Sequence, residues 1–302
     1  MDRYKKFGFS DVLMLFAILL WSINFSFVKV ALNEFTPLGF NGIRLVFASL
    51  LLVLFLSVSR ESFRITKIDF WRLVALGIVG NTAYQMLFIH GINLTTASNS
   101  AIIIATTPIF ISLLSFIMKH ERLNWAAWTG IFISFIGFYF VMTKRPGSLS
   151  LNGKGAQGDL LILVGALCWA VYTVFSLPLL KRISPLKFTM YTMITGTVFF
   201  LPFCVKDIIV LPYSQISLKA WAALAFSGFF ALSVCYVIWY FSVKRVGSSR
   251  TSIYDNLIPI FTIFFAYFLL DERISLLQGA GTLVILCGVY LTRSGYHFFE
   301  RR

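Results

Sequence analysis

A chain of 302 residues that is 58% hydrophobic, 17% aromatic and 13% charged lies far from a soluble domain, where about 45–50% of residues are apolar and about 25% charged. At about 20 residues a crossing, ten membrane spans use roughly 200 residues, which leaves short loops and excludes a separate soluble domain. The net charge of +14 sits in loops between apolar runs, where membrane orientation puts it, so no nucleic-acid partner is expected.

Apolar runs bounded by charged or turn residues fall at about 10–30, 37–57, 70–91, 96–117, 125–143, 158–179, 186–205, 219–243, 250–269 and 276–293. They predict an all-α polytopic membrane protein of ten transmembrane helices. Ahead of the first run, MDRYKKFGFSD is basic, but the apolar stretch after it is too long for a signal-peptide core and lacks a small-residue cleavage site, so no cleaved leader is expected. Span one carries Trp21, Ser22, Asn24 and Ser26, with Lys29 at its end; polar atoms so deep in lipid should face protein or water. In span two, Arg44 comes seven residues after Pro37, about 10 Å into the membrane at helical rise. There a guanidinium either reaches back to the headgroups or to Glu34, or faces a cavity in which it grips a carboxylate through two hydrogen bonds.

Asn81, Tyr84, Gln85 and Phe88 share one helical face of span three. Spans four and nine each hold a proline, Pro108 and Pro259, whose missing N–H and bulky ring should kink the helix. Spans five and ten hold glycines seven residues apart, Gly130 with Gly137 and Gly281 with Gly288, which favour close helix approach. Between the halves, KRPGSLSLNGKGAQG (144–158) reads as a flexible linker. Trp169, Tyr172 and Ser176 align along span six, Tyr236, Trp239 and Tyr240 along span eight, and Thr251, Tyr254 and Asp255 along span nine. Aromatic rings with scattered polar groups suit amphiphilic or cationic solutes, although interface belts and interhelical hydrogen bonds give similar stripes. Asp255 is the only carboxylate well inside a span and is expected about half a bilayer from Arg44. It either pairs with Arg250, Lys244 or Arg245, or takes up and releases a proton.

The chain is duplicated. Asp11, Trp21 and Pro37 recur as Asp159, Trp169 and Pro185, each 148 residues on. Later, ATTPIFISLLSFIMKHERLN (105–124) aligns with NLIPIFTIFFAYFLLDERIS (256–275), so Pro108, Glu121 and Arg122 recur as Pro259, Glu272 and Arg273 at an offset of 151. Glu121-Arg122 and Glu272-Arg273 read as helix-end anchors. Five spans per copy is an odd number, so the second copy enters the membrane from the opposite face, and such inverted five-helix repeats place a transporter's site near the midplane between them. The divisions are 1–146 for the first repeat, 147–157 for an extracytoplasmic linker, and 158–302 for the second repeat and a short C-terminal tail.

Of the 26 Lys and Arg residues, 18 fall on the side of the N-terminus and 7 on the other, with Arg44 inside a span. That asymmetry predicts a multi-pass protein of the cell membrane, plasma or inner, with both termini cytoplasmic. Cys168, Cys204, Cys235 and Cys287 lie singly in apolar segments and read as buried hydrophobes. His90, His120 and His297 are far apart, and no metal-ligand or nucleophile-base spacing occurs, so neither metal nor cofactor is expected and the chain does not read as an enzyme.

The series Trp21-x2-Asn24-x4-Lys29-x7-Pro37-x6-Arg44, with Pro108, Glu121-Arg122, Pro259 and Glu272-Arg273, resembles the EamA-type transporters of the drug/metabolite transporter superfamily. The resemblance runs from about residue 10 to 293. It implies export of small metabolites, amino acids or amphiphilic drugs through a central cavity between the repeats, by alternating access. The second copy departs from the pattern: Asn24, Lys29 and Arg44 are matched by Tyr172, Leu177 and Thr192, so any charged site is lopsided. The expected substrate-binding residues are Trp21, Asn24, Arg44, Tyr84, Gln85, Trp169, Tyr172, Trp239 and Tyr254. Asp255 is expected to couple transport to protons or to gate it. The partners are a small-molecule solute and the lipid bilayer; a flippase for lipid-linked substrates or a membrane-embedded transferase is the alternative.

Overall fold

The computed structural model describes residues 9–118, 125–142, 153–252 and 254–297, and every regular element in them is helical. Seven helices among them are long and apolar enough to cross a membrane: Phe9–Ala31, Pro37–Val58, Lys67–Leu94, Ala97–Ile117, Lys154–Leu180, Pro185–Ile209 and Leu218–Val246. Three shorter apolar helices, Trp125–Val141, Tyr254–Leu270 and Leu276–Leu291, bring the number to ten. The ten runs read from the sequence are these ten spans in order. Glu121, Arg122, His120 and most of the linker lie outside the described residues.

Local chemistry sets the helix starts. Thr36, Thr66, Thr96, Ser184 and Ser217 sit in extended geometry, and each hydroxyl accepts the N–H three residues on, at Gly39, Asp69, Asn99, Lys187 and Ala220. Each cap satisfies one of the donors that a helix start leaves open. Pro37 and Pro185 come directly after their caps, in the first turn, where no N–H is needed. Span six begins earlier than expected, at Lys154 after Gly153. Gly158, read as a linker glycine, is instead a packing residue: a Cβ there would stand 2.8 Å from the Gly91 carbonyl oxygen.

Four spans are irregular, in matched pairs. Spans three and eight each contain a π-helical turn, Ile78–Ala83 and Ser227–Val234. Spans four and nine are broken: helix Ala97–Ile104 gives way to Thr107–Ile117, and a 3₁₀ turn, Tyr254–Leu257, precedes Ile258–Leu270. Pro108 and Pro259 therefore lie in the first turn of a new helical segment, where the ring has no preceding turn to clash with. The expected kink is a full break.

Contacts between the halves are reciprocal, as a two-fold relation requires. A Cβ on Gly137 would sit 2.8 Å from the Gly281 oxygen, and one on Gly288 would sit 2.5 Å from the Gly130 oxygen; adding or subtracting 151 turns one pair into the other. Other residues meet their own copies. Trp21 packs edge-on against Trp169 at 6.0 Å, Ser49 and Thr197 share a 2.9 Å hydrogen bond, and Gln85 donates to the Tyr236 hydroxyl at 2.9 Å. A residue touches its own copy only near the axis that relates the copies, so the axis passes through these three pairs. Two large hydrophobic clusters pack the bundle, one including Phe25, Phe40, Phe88 and Ile102, the other Leu45, Leu52, Phe188 and Trp239; Trp21, Tyr84 and Tyr254 touch both.

Candidate functional site

Spans one to four, six, eight and nine line a cavity of about 60 Å³ between the repeats, with residues including Trp21, Asn24, Arg44, Tyr84, Gln85, Trp169, Tyr236 and Asp255. The broken helices contribute Ile104, Thr107 and Ile258 to its wall. That volume is small beside the roughly 300–1,000 Å³ of pockets that hold small-molecule ligands.

Arg44 is 1% exposed. Its Nη1 donates to the Ser227 hydroxyl at 2.8 Å, while Nη2 donates to Gln85 Oε1 at 2.6 Å and to Asn41 Oδ1. The Phe40 ring lies 5.3 Å from the guanidinium carbon. All these partners are neutral. Ion pairs among the described residues are Arg72–Asp69, Arg182–Asp69 and Lys187–Glu61, which leave Arg44 out. Arg44 Nε and Asn41 Nδ2 are buried and have no hydrogen-bond partner among the described residues. Three neutral acceptors hold the guanidinium in shape but supply no countercharge, and removing an ion from water costs several kcal/mol.

The headgroup and Glu34 alternatives for Arg44 do not apply. Glu34 instead accepts from the Ser217 N–H at 2.6 Å and hydroxyl at 2.7 Å, and the guanidinium turns into the bundle. Asp255, expected about half a bilayer from Arg44, lines the same cavity from the 3₁₀ turn Tyr254–Leu257 of span nine. Of its expected partners, Lys244 donates to the Ile183 carbonyl at 3.0 Å, and the Arg250 side chain lies outside the described residues.

Six of the nine residues expected to bind solute, Trp21, Asn24, Arg44, Tyr84, Gln85 and Trp169, meet at the cavity. Tyr172, Trp239 and Tyr254 lie off it. The Trp239 indole donates to the Thr173 hydroxyl at 3.3 Å and is fully buried behind the wall. Tyr254 donates to the Asp11 carboxylate. Tyr172 shares a 2.5 Å hydrogen bond with Thr192. Asn81, placed with Tyr84 and Gln85 by α-helical spacing, turns toward the Tyr172 hydroxyl at 3.4 Å. The π turn explains this: its i→i+5 bonds fit an extra residue into the turn and rotate Asn81 off the α-helical face.

Other polar residues have structural work. Lys29 donates to the Ile92 and Thr95 carbonyls at 3.0 and 2.7 Å, closing the end of span three. Glu272 accepts from the Ala97 and Ser98 N–H groups at 2.9 and 3.0 Å, capping span four as a helix-end anchor should. Sequence reasoning missed Ser227 and Thr107. Asn41 has a local signal, three residues before Arg44 on one helix; Ser227 has none, because only the fold brings span eight to span two.

Residues 8–143 and again 156–294 match the EamA-like transporter family. An uncharacterized transporter of Archaeoglobus fulgidus is 29% identical over 289 residues, covering 95% of this chain and 98% of its own. The uncharacterized transporter YyaM of Bacillus subtilis is 29% identical, with 90% of this chain and 88% of its own covered. A probable terminal-alkyne amino-acid exporter of Streptantibioticus cattleyicolor is 26% identical, with 92% and 91% covered. A solved crystal structure shares the fold at a TM-score of 0.71 and 16% identity, over 96% of this chain and 98% of that one.

Proposed function

The chain belongs to the EamA-like transporter family, and from that premise we propose that it exports a small amphipathic solute bearing an anionic group, binding it in the central cavity. Family membership makes it a multi-pass membrane transporter and removes the transferase alternative. The observation that carries the finer reading is Arg44: a buried guanidinium on neutral partners, in a cavity walled by Trp21, Trp169 and Tyr84. An incoming carboxylate or similar anion supplies the directly bonded charge that Ser227, Gln85 and Asn41 do not, and the rings take the apolar part of the solute. Small metabolites, amino acids and amphiphilic drugs with such a group fit; the amino-acid exporter among the relatives supports both the class and the direction.

Pockets for small ligands measure about 300–1,000 Å³, so the 60 Å³ cavity has to widen to admit a solute. The π turns and broken helices flanking it are the hinges available, which suits alternating access between inverted repeats. Asp255, on the 3₁₀ turn in that wall, couples the widening to a proton or gates one mouth. The charge asymmetry of 18 against 7 supports cytoplasmic termini. A cysteine at Ser148 then reacts with an impermeant thiol reagent in intact cells and one at Ser62 does not; the reverse pattern overturns the orientation.

The deciding experiment is flux through purified protein in liposomes, with apolar amino acids, aryl carboxylates and cationic drugs, with and without a pH gradient. Arg44→Gln should weaken apparent affinity for carboxylate-bearing solutes about tenfold or more and spare cations. Equal loss for every solute makes Arg44 structural. Asp255→Asn should abolish the response to the pH gradient while solute binding persists; a folded variant that still responds overturns the proton role.

A further inference from the structure

The two repeats build the same half-site twice and fill it once. Arg44 and Thr192 are equivalent positions, 148 residues apart, and their surroundings match. Gly228 lies against the Arg44 carbonyl oxygen, where a Cβ would be 3.4 Å away, as Gly77 lies against that of Thr192, at 2.7 Å. Both half-sites flank the Gln85–Tyr236 pair on the axis, Arg44 bonding Gln85 on one side. On the first side the residue matched to Tyr172 is Asn24, short enough to leave a cavity. On the second, Tyr172 fills the space. Its ring leaves no room for a Cβ on Gly80, stacks on Phe188 at 5.6 Å, and packs against Trp169, a cavity wall, at 5.6 Å. Its hydroxyl is spent on Thr192.

We propose that Tyr172, which does not line the cavity, sets the length of the solute by plugging the twin half-site across the axis from Arg44. This deepens the reading of an anion held by Arg44 and rests on it. With its charged end on Arg44, a solute extends over Trp21 and Trp169 and stops at the wall that Tyr172 backs. Thr192 in place of a second arginine also leaves one cationic pole, so the solute class is monoanions of limited length, and dicarboxylates are rejected.

The test uses the purified full-length protein and intrinsic tryptophan fluorescence, titrated with ω-phenylalkanoates of increasing chain length and with the matching dicarboxylates. Wild type should prefer a short member and lose at least tenfold in affinity as the chain lengthens. Tyr172→Leu should move the optimum to longer members, while Tyr172→Phe, which keeps the ring, should leave it in place. Tyr172→Trp, a larger plug for the case in which the cavity variant does not fold, should move it the other way. An optimum that stays put in the leucine and tryptophan variants, or that moves in the phenylalanine variant, overturns the proposal. Wild-type binding of dicarboxylates as tight as that of monocarboxylates does so too. A shifted optimum with no response to Arg44→Gln upholds Tyr172 and overturns the anion contact; a fixed optimum with that response does the reverse, and failure of every carboxylate to bind overturns both.

Discussion

Asn24 and Arg44 in the first repeat, and Tyr172 and Thr192 in the second, stand at equivalent places around one axis, yet only the first pair borders open space. The scaffold around them is shared: matched π turns, matched helix breaks and matched glycine contacts. Two side-chain differences turn a symmetric frame into a one-sided site. The duplicated fold supplies π turns and helix breaks in pairs, while only one copy is open and charged.

The sharpest way to break the contrast is Asn24→Tyr, which gives the first half-site the plug of the second. With about 60 Å³ to fill, solute binding should disappear while the protein elutes as a folded species; retained binding would refute the cavity as the site. Gln85→Leu acts on the axis itself. It leaves the Tyr236 hydroxyl and one Arg44 N–H without the amide that joins them, at a cost of about 1–3 kcal/mol each, so the melting temperature in detergent should fall. An unchanged melting temperature would mean that water replaces the glutamine.

Gly137→Ala and Gly288→Ala probe what the repeats share. Each forces a Cβ against backbone in the contact between spans five and ten, and overpacking typically costs about 1–3 kcal/mol. Because the contacts are two-fold related, both variants should lower the melting temperature, and a loss in only one of them would argue against a symmetric interface. The smallest effect lies in the loops. Ser217 donates its backbone N–H and its hydroxyl to Glu34, holding that exposed carboxyl below its ordinary pKa. A depressed carboxylate contributes stability above its unfolded pKa and loses it as pH falls through the folded value. Hydrogen exchange at the Ser217 amide should therefore gain protection on leaving the acid range, and Glu34→Gln should flatten that dependence; an identical profile in the variant would show that the contact does not hold the turn.

Much of the site is legible in the sequence because helical spacing carries information over a turn or two. Trp21 with Asn24, and Tyr84 with Gln85, are neighbours on that ground and meet at the cavity. Spacing misleads where the helix is irregular. A π turn moves Asn81 off its face, and Asp255 lines the cavity of Arg44 from a 3₁₀ turn. Trp239 and Tyr240 share a stripe with Tyr236, but both are fully buried behind the wall that Tyr236 lines.

The ten spans, the duplication and its lopsided polar positions can be read from sequence alone, because hydrophobic length, proline, glycine and charge act locally and repeat at readable offsets. Two things were decided only by tertiary structure: that Arg44 rests on Ser227, Gln85 and Asn41 without an acidic partner among the described residues, and that Tyr172 fills the twin of the space Asn24 leaves open. Both depend on side chains from spans distant in the chain meeting at an axis, and packing across an axis leaves no periodic trace in either stretch of sequence that supplies it.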